Sequence, residues 1–216
     1  MRLLSVNIGK ARRIGNGAKS AKTGIFKQPS SGPVLISYLG IAGDEVCNTR
    51  HHGGVDQAMY IYGSDDYAWW EKELGKTITP GTFGDNLTFS NMESASYQIG
   101  DRFTIGEVIL EVTAPRIPCG TLASHMGDPH FVKQFQQAER PGLYCRVIKE
   151  GSVTVSDEVA FQSYDGETVT AIEMFRNYYR KDQNEDTLRR YLAAPIAVRA
   201  RVDMEQRLQK LLEQNA

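Results

Sequence analysis

The stretch Val108-Ile109-Leu110-Glu111-Val112-Thr113-Ala114-Pro115-Arg116-Ile117-Pro118-Cys119-Gly120 decides how the rest of the chain is to be folded. Val108, Leu110 and Val112 recur at every second position, the pattern of a strand with one face turned inward. Just upstream, Phe103 and Ile105 alternate in the same way, and Gly106-Glu107 between the two runs is a two-residue turn with glycine first, so the runs pair as an antiparallel hairpin. Pro115 and Pro118 then stop the strand, because proline has no N–H for a ladder and holds the residue before it extended. Cys119 is thereby delivered at a strand tip on a stiff turn, three residues after Arg116. A guanidinium fixed beside a thiol favours the thiolate, which is the form that acts as a nucleophile or a soft metal ligand. A cysteine in a turn can also be a small apolar plug. The Pro-x-x-Pro frame and the cation favour the reactive role.

Toward the N-terminus, Leu4, Val6 and Ile8 predict a first strand ending at Gly9, and Val34 to Leu39 a second. Between them, Lys10, Arg12, Arg13, Lys19 and Lys22 lie in a Gly-rich loop without an acid, a pattern suited to anions or simply to solvent. It is not a phosphate-binding P-loop, since Ala18 rather than glycine precedes Lys19-Ser20 and no helix follows. Next comes Asn48-Thr49-Arg50-His51-His52-Gly53-Gly54-Val55-Asp56, leading into an alternating strand through Tyr60 and Tyr62. Two glycines let the backbone pass close to another group. Adjacent histidines in an extended chain point to opposite sides, so they do not chelate one metal together. One of them then donates within a site while the other is structural, or both merely satisfy turn backbone. Ser64 to Leu74 reads as a helix closed by Gly75, its Tyr67, Trp70 and Leu74 forming a buried stripe. In Phe83-Gly84-Asp85-Asn86-Leu87, Gly84 frees a turn and Asn86 offers both a donor and an acceptor.

Toward the C-terminus, Thr121 to Met126 predicts a helical turn bringing Ser124 and His125 back toward the thiolate, and Asp128-Pro129 opens an amphipathic helix that Pro141-Gly142 stops. Leu143 to Ile148 and Val153 to Val155 read as a hairpin around Glu150-Gly151, with Cys145 packed mid-strand. Strands at regular spacing joined by tight turns predict a mainly β domain over residues 1–164, a closed antiparallel β-barrel with a few helices. Around Ser163 to Gly166 the period lengthens to that of helices, and residues 165–216 read as a small three-helix domain.

Composition bounds the partners. Basic and acidic residues number 25 and 26, a formal net charge of -1, and residues 166–216 carry nine basic and eight acidic side chains, so neither nucleic acid nor a membrane surface is an expected partner. Cys47, Cys119 and Cys145 are odd in number and far apart, which fits neither a disulfide framework nor a structural zinc site. With no apolar run long enough for a membrane span, a cytoplasmic protein is expected.

Arg50-His51-His52-Gly53-Gly54-Val55-Asp56, Phe83-Gly84-Asp85-Asn86-Leu87 and Pro115-Arg116-Ile117-Pro118-Cys119, in this order and spacing, resemble the MOSC family, domains related to the C-terminal part of molybdenum-cofactor sulfurase. The helices after the barrel resemble the stand-alone bacterial branch of YiiM-type 6-N-hydroxylaminopurine reductases. The resemblance implies a barrel that binds the molybdenum cofactor through Cys119 as metal ligand, with Lys22, Thr23, Arg50, His51, His52, Gly53, Gly54, Asp56, Asn86 and Arg116 around the cofactor. It further implies reduction of N-hydroxylated small molecules. His51, His52 or His125 would supply protons, and Asp85 stands where the family often has glutamate. No ferredoxin-type cysteine cluster and no dinucleotide fingerprint are present, so electrons would come from a separate reductase or flavoprotein. Two other readings use the same residues: a sulfur carrier or transferase with a Cys119 persulfide, and a module that binds or delivers the cofactor without turnover. The oligomeric state stays open.

Overall fold

A computed structural model describes residues 1–15, 20–49, 52–180 and 184–214. Along the chain, the first strands are β1 (Leu3–Gly9), β2 (Arg12–Ile14), β3 (Ala21–Thr23), β4 (Lys27–Pro29), β5 (Val34–Ser37), β6 (Gly40–Ile41) and β7 (Met59–Gly63). Helix α1 (Ser64–Leu74) leads to β8 (Leu87–Phe89), β9 (Arg102–Ile105) and β10 (Val108–Pro115). Helices α2 (Gly120–Met126) and α3 (Phe131–Ala138) precede β11 (Leu143–Lys149), β12 (Gly151–Val153) and β13 (Val159–Gln162), and α4 (Ala171–Tyr179), α5 (Glu185–Ala193) and α6 (Val198–Gln214) follow.

Eight strands form one sheet in the order β13-β9-β10-β11-β7-β8-β1-β4. The β9–β10 hairpin sits where its alternation places it, Val108 opposite Ile105. Strand parity divides the buried residues between two faces. On β7, Met59 and Ile61 enter one cluster with Leu143, Cys145 and Val147 of β11. Tyr60 and Tyr62 enter a second, with Trp70 of α1, Phe83, and Phe131 and Phe135 of α3. A strand covered on both faces reads as a continuous apolar run, as Met59-Tyr60-Ile61-Tyr62 does. The first cluster also takes in Val169, Met174, Leu188, Tyr191, Ile196 and Met204, so the C-terminal helices share the buried interior of the sheet. No helix among the described residues is long and apolar enough to cross a membrane.

The expected closed antiparallel barrel is not what forms. The sheet is mixed, because β7 and β8 run parallel; parallel neighbours need a crossover connection, here α1 and the turns after it. It is also open, with β13 and β4 at its edges. The chain at the start of β1 approaches the chain before β13 through the Leu3 amide on the Asp157 carbonyl at 2.9 Å, the Ser156 amide on the Leu3 carbonyl at 2.8 Å and the Val159 amide on the Met1 carbonyl at 3.0 Å. This short contact makes no ladder beyond the isolated bridge between Arg2 and Glu158. Beyond Leu3, β1 is taken up by β8 and then by β4. Alternation reports which face of a strand is buried, and it carries no information about which strand lies alongside. For the same reason β11 and β12 do not form the expected hairpin: β12 pairs with β5 in a three-stranded sheet, while β11 is flanked by β10 and β7.

Candidate active site

Cys119 terminates the stiff turn after β10 and is the N-cap of α2, in extended conformation with φ −130 and ψ 167. It lines a cavity of about 180 Å³. The walls come from far apart in the chain: β3 and Gly24 on one side, the Asp44–Asn48 and His52–Gly53 loop segments on another, and Tyr60, Asn86, Arg116 and Tyr144 from the sheet and its ends. Burial pushes the Cys119 thiol up, but a hydrogen bond with His52, the Arg116 charge and the Leu122 amide at the start of α2 together pull it down to about 6. The thiolate is therefore the dominant form at neutral pH. His52 Nδ1 also lies 3.4 Å from the Tyr144 hydroxyl.

Arg116 is a buried cation with no carboxylate partner among the described residues. It is 4% exposed, and its guanidinium donates to the Phe83 carbonyl. That group also lies 5.1 Å from the centre of the Tyr60 ring and 5.9 Å from that of Phe135. Its Nε is buried with no partner. A desolvated cation in this state favours an anion in the adjoining space. The Cys119 thiolate is one such charge.

A second polar group closes the cavity floor. Lys27 and Asp44 form a buried ion pair, their side chains 7% and 8% exposed. Asp44 also accepts from the Gly9 amide at 2.7 Å and from Asn86 Nδ2 at 3.0 Å. Asn86 Oδ1 in turn accepts from the Tyr60 amide at 3.1 Å. Asn86 lines the cavity, but its amide is committed to protein partners and ties β7 and β8 to the Asp44 loop.

The sequence candidates divide accordingly. Lys22, Thr23, His52, Gly53, Asn86, Arg116 and Cys119 come together around the cavity. Gly53 has φ +70, a conformation that glycine adopts without strain, and a Cβ there would lie 3.1 Å from Val46. Gly54 lies just beyond the wall, capping a 3-10 turn over Val55–Gln57 with φ 82. Arg50 and His51 fall outside the described residues. Asp56 does not line the cavity; its carboxylate pairs with Arg146 at 3.0 Å and accepts the Val198 amide at the start of α6 at 2.7 Å. His125 is on α2 as the sequence predicts, yet it packs edge-on against Phe26 rather than entering the cavity. Burial and the Arg116 charge lower its pKa, and its Nδ1 is buried without a partner. Asp85 is an interior node: it accepts from Tyr67 and Thr88 hydroxyls, both at 2.7 Å, and from Asn7 Nδ2 and the Gly81 amide, both at 3.3 Å.

Sequence reasoning missed Lys27, Asp44, Tyr60 and Tyr144 as parts of the site. For the two tyrosines a signal existed. Tyr144 lies between the inward-facing Leu143 and Cys145, so parity sends it to the opposite face, where Tyr60 also points. Nothing local in sequence couples Lys27 to Asp44.

Among the described residues, no three His, Cys, Asp or Glu side chains converge to hold a metal ion. The site offers one anionic sulfur in a cationic, hydrogen-bonding pocket. A metal held there would need its remaining ligands from a cofactor, and an anionic cofactor would meet Arg116, whose buried Nε has no partner.

Comparison with known proteins points the same way. Residues 48–160 match the MOSC domain model. The chain is 30% identical over 191 residues to the uncharacterised protein YflK of Bacillus subtilis, covering 88% of this chain and 86% of that one. Over 154 residues it is 29% identical to YiiM of Escherichia coli, covering 70% and 67%. The fold is similar to the crystal structure of YiiM from Geobacillus stearothermophilus, with TM-score 0.79 and 24% identity over 96% of this chain and 98% of that one.

Proposed function

The chain belongs to the MOSC domain family, in its YiiM-type branch, and from this premise we propose that it is a molybdenum-cofactor-dependent oxidoreductase that reduces N-hydroxylated compounds, such as 6-N-hydroxylaminopurine, to the amine. The observation that carries the reading is the pairing of Cys119, its thiol pulled down to about 6, with a buried Arg116 that has no carboxylate partner among the described residues. Soft thiolate suits molybdenum, and a single protein sulfur leaves the other positions to a cofactor that brings its own. When bound, the cofactor supplies the two-electron chemistry that removes oxygen from an N–OH group.

The residues of the chain bind, orient and protonate. Cys119 presents its sulfur from a turn that Pro115 and Pro118 make rigid, so the ligand position is set before anything binds. Arg116 balances anionic charge beside it. Lys22 and the Gly53 backbone lie where a phosphate-bearing tail can be held by charge and amide donors. His52, hydrogen-bonded to the thiolate and braced by Tyr144, is the residue placed to hold and release a proton in the cavity. His125 is turned away from it. The Lys27–Asp44–Asn86 group keeps the walls in register. Electrons come from a separate reductase or flavoprotein.

The test is expression in cells unable to make the molybdenum cofactor: N-hydroxylamine reduction should vanish, and its retention would refute the proposal. Protein from a molybdate-replete host should carry stoichiometric molybdenum, and the Cys119→Ala variant should carry little. A low-pKa cysteine beside a cation also suits a persulfide carrier; cyanide-labile sulfur without metal would select that reading instead.

A further inference from the structure

The C-terminal helices do more than cover the sheet, because the start of α6 grips the loop that carries His52. Arg199 donates to the Thr49 carbonyl at 2.9 Å. One residue earlier in the loop, the Asn48 carbonyl accepts the His52 amide at 3.0 Å. The Val198 amide is capped by Asp56, from the far end of the same loop, at 2.7 Å. Asp56 is itself held by Arg146 at 3.0 Å, which also donates to the Pro195 and Ile196 carbonyls at 3.1 and 3.3 Å. The Ala197 amide reaches the Thr113 carbonyl at 3.1 Å. Both ends of the described loop around His52 are thus tied to the same helix start, from residues about 150 positions away in the chain.

We propose that Arg199 is a positioning residue of the active site, holding the peptide at Thr49 so that the adjoining Asn48–His52 hydrogen bond sets His52 toward Cys119. Asp56 is the second half of the clamp, which accounts for its place in the motif although it does not touch the cavity. The Arg199 charge is also felt at Tyr144, the residue that braces His52: burial raises that phenol's pKa, and the charges of Arg116 and Arg199 oppose the rise. The inference rests on the cavity being the active site and is independent of the metal.

Amide hydrogen exchange on the full chain tests it without any cofactor, so the outcome stands apart from the fate of the molybdenum reading. In Arg199→Ala the His52 amide should exchange at least 10-fold faster, with the central strand amides of Ile61 and Val112 unchanged. Arg199→Lys, which keeps a donor for the Thr49 carbonyl, should restore most of the protection. Unchanged exchange at His52 in Arg199→Ala would overturn the proposal. So would equal acceleration along the whole chain, or a lysine variant as fast as the alanine one. Arg199 is exposed, so its variants are expected to fold.

Discussion

At the scale of single residues, the Cys119 sulfur is acted on in two directions. Burial opposes its charge; His52, Arg116 and the Leu122 amide favour it, and the balance falls at about 6. In a Cys47→Ser background, which removes the exposed thiol, the alkylation rate by iodoacetamide should rise with pH and reach half its plateau near pH 6. His52→Ala should move that midpoint upward. The linked effect on stability has a definite sign. A thiol whose folded pKa lies below its unfolded value, about 8.5, adds stability that is fully present above that value and is lost as pH falls through about 6. Denaturation midpoints of the cofactor-free protein should therefore drop between pH 8.5 and pH 6 more than those of Cys119→Ser. Asp85 belongs to the same scale but to a different role. Four donors converge on one buried carboxylate, so Asp85→Ala should cost about 2–4 kcal/mol in urea unfolding by leaving them unpaired. Cys119 and Arg116 are legible in the sequence because one short stretch contains the strand, the two prolines, the cation and the thiol. Lys27 and Asp44 are not, because their relation exists only between a strand and a distant loop.

At the scale of elements, the site depends on backbone segments that approach too closely for side chains. Gly24 lies between β3 and β4, and a Cβ there would come within 1.8 Å of the Glu45 carbonyl oxygen. Gly9, at the end of β1, meets the Gly24 carbonyl in the same way, at 2.0 Å. Three pieces of chain are stacked backbone to backbone beside the cavity. Gly24→Ala should force them apart, lowering stability by about 2–4 kcal/mol and lowering molybdenum content with it. The measurements are thermal denaturation and elemental analysis of the purified variant. Helices α1 to α6 lie where the apolar periodicity and the turn residues place them, since both signals are local. The β12–β5 pairing was not legible from Glu150-Gly151, because a plausible turn does not oblige its flanking strands to pair with each other.

At the scale of the whole molecule, the C-terminal helices and the sheet share one buried cluster, which contains Met204 of α6 and Leu188 of α5 as well as Val112 and Cys145. Residues that are removed from water together should unfold together. Calorimetry of the full chain is expected to show a single transition whose van't Hoff and calorimetric enthalpies agree; two resolved transitions would separate the helices from the sheet. The same sharing explains how α6 can hold the His52 loop, since a helix fixed to the sheet is a rigid support for an otherwise exposed segment.

The sequence by itself determined the helices and the longer strands β1, β5, β7, β9, β10 and β11, though not the short β2, β3, β4, β6, β8 and β13. It also determined which faces of those elements are buried and that a thiolate-prone cysteine stands at a strand tip beside a cation. These properties arise from residues close together in the chain, where periodicity, proline and neighbouring charge act directly. Only the tertiary structure decided that the sheet is mixed and open, that Tyr60 and Tyr144 flank the site, that Asn86 and Asp85 spend their hydrogen bonds inside the protein, and that Asp56 serves α6. Each of these is a choice of partner across long chain separations. A polar group buried during folding must bond to whichever complementary group the packed layers bring within about 3 Å, and no local pattern names that group in advance.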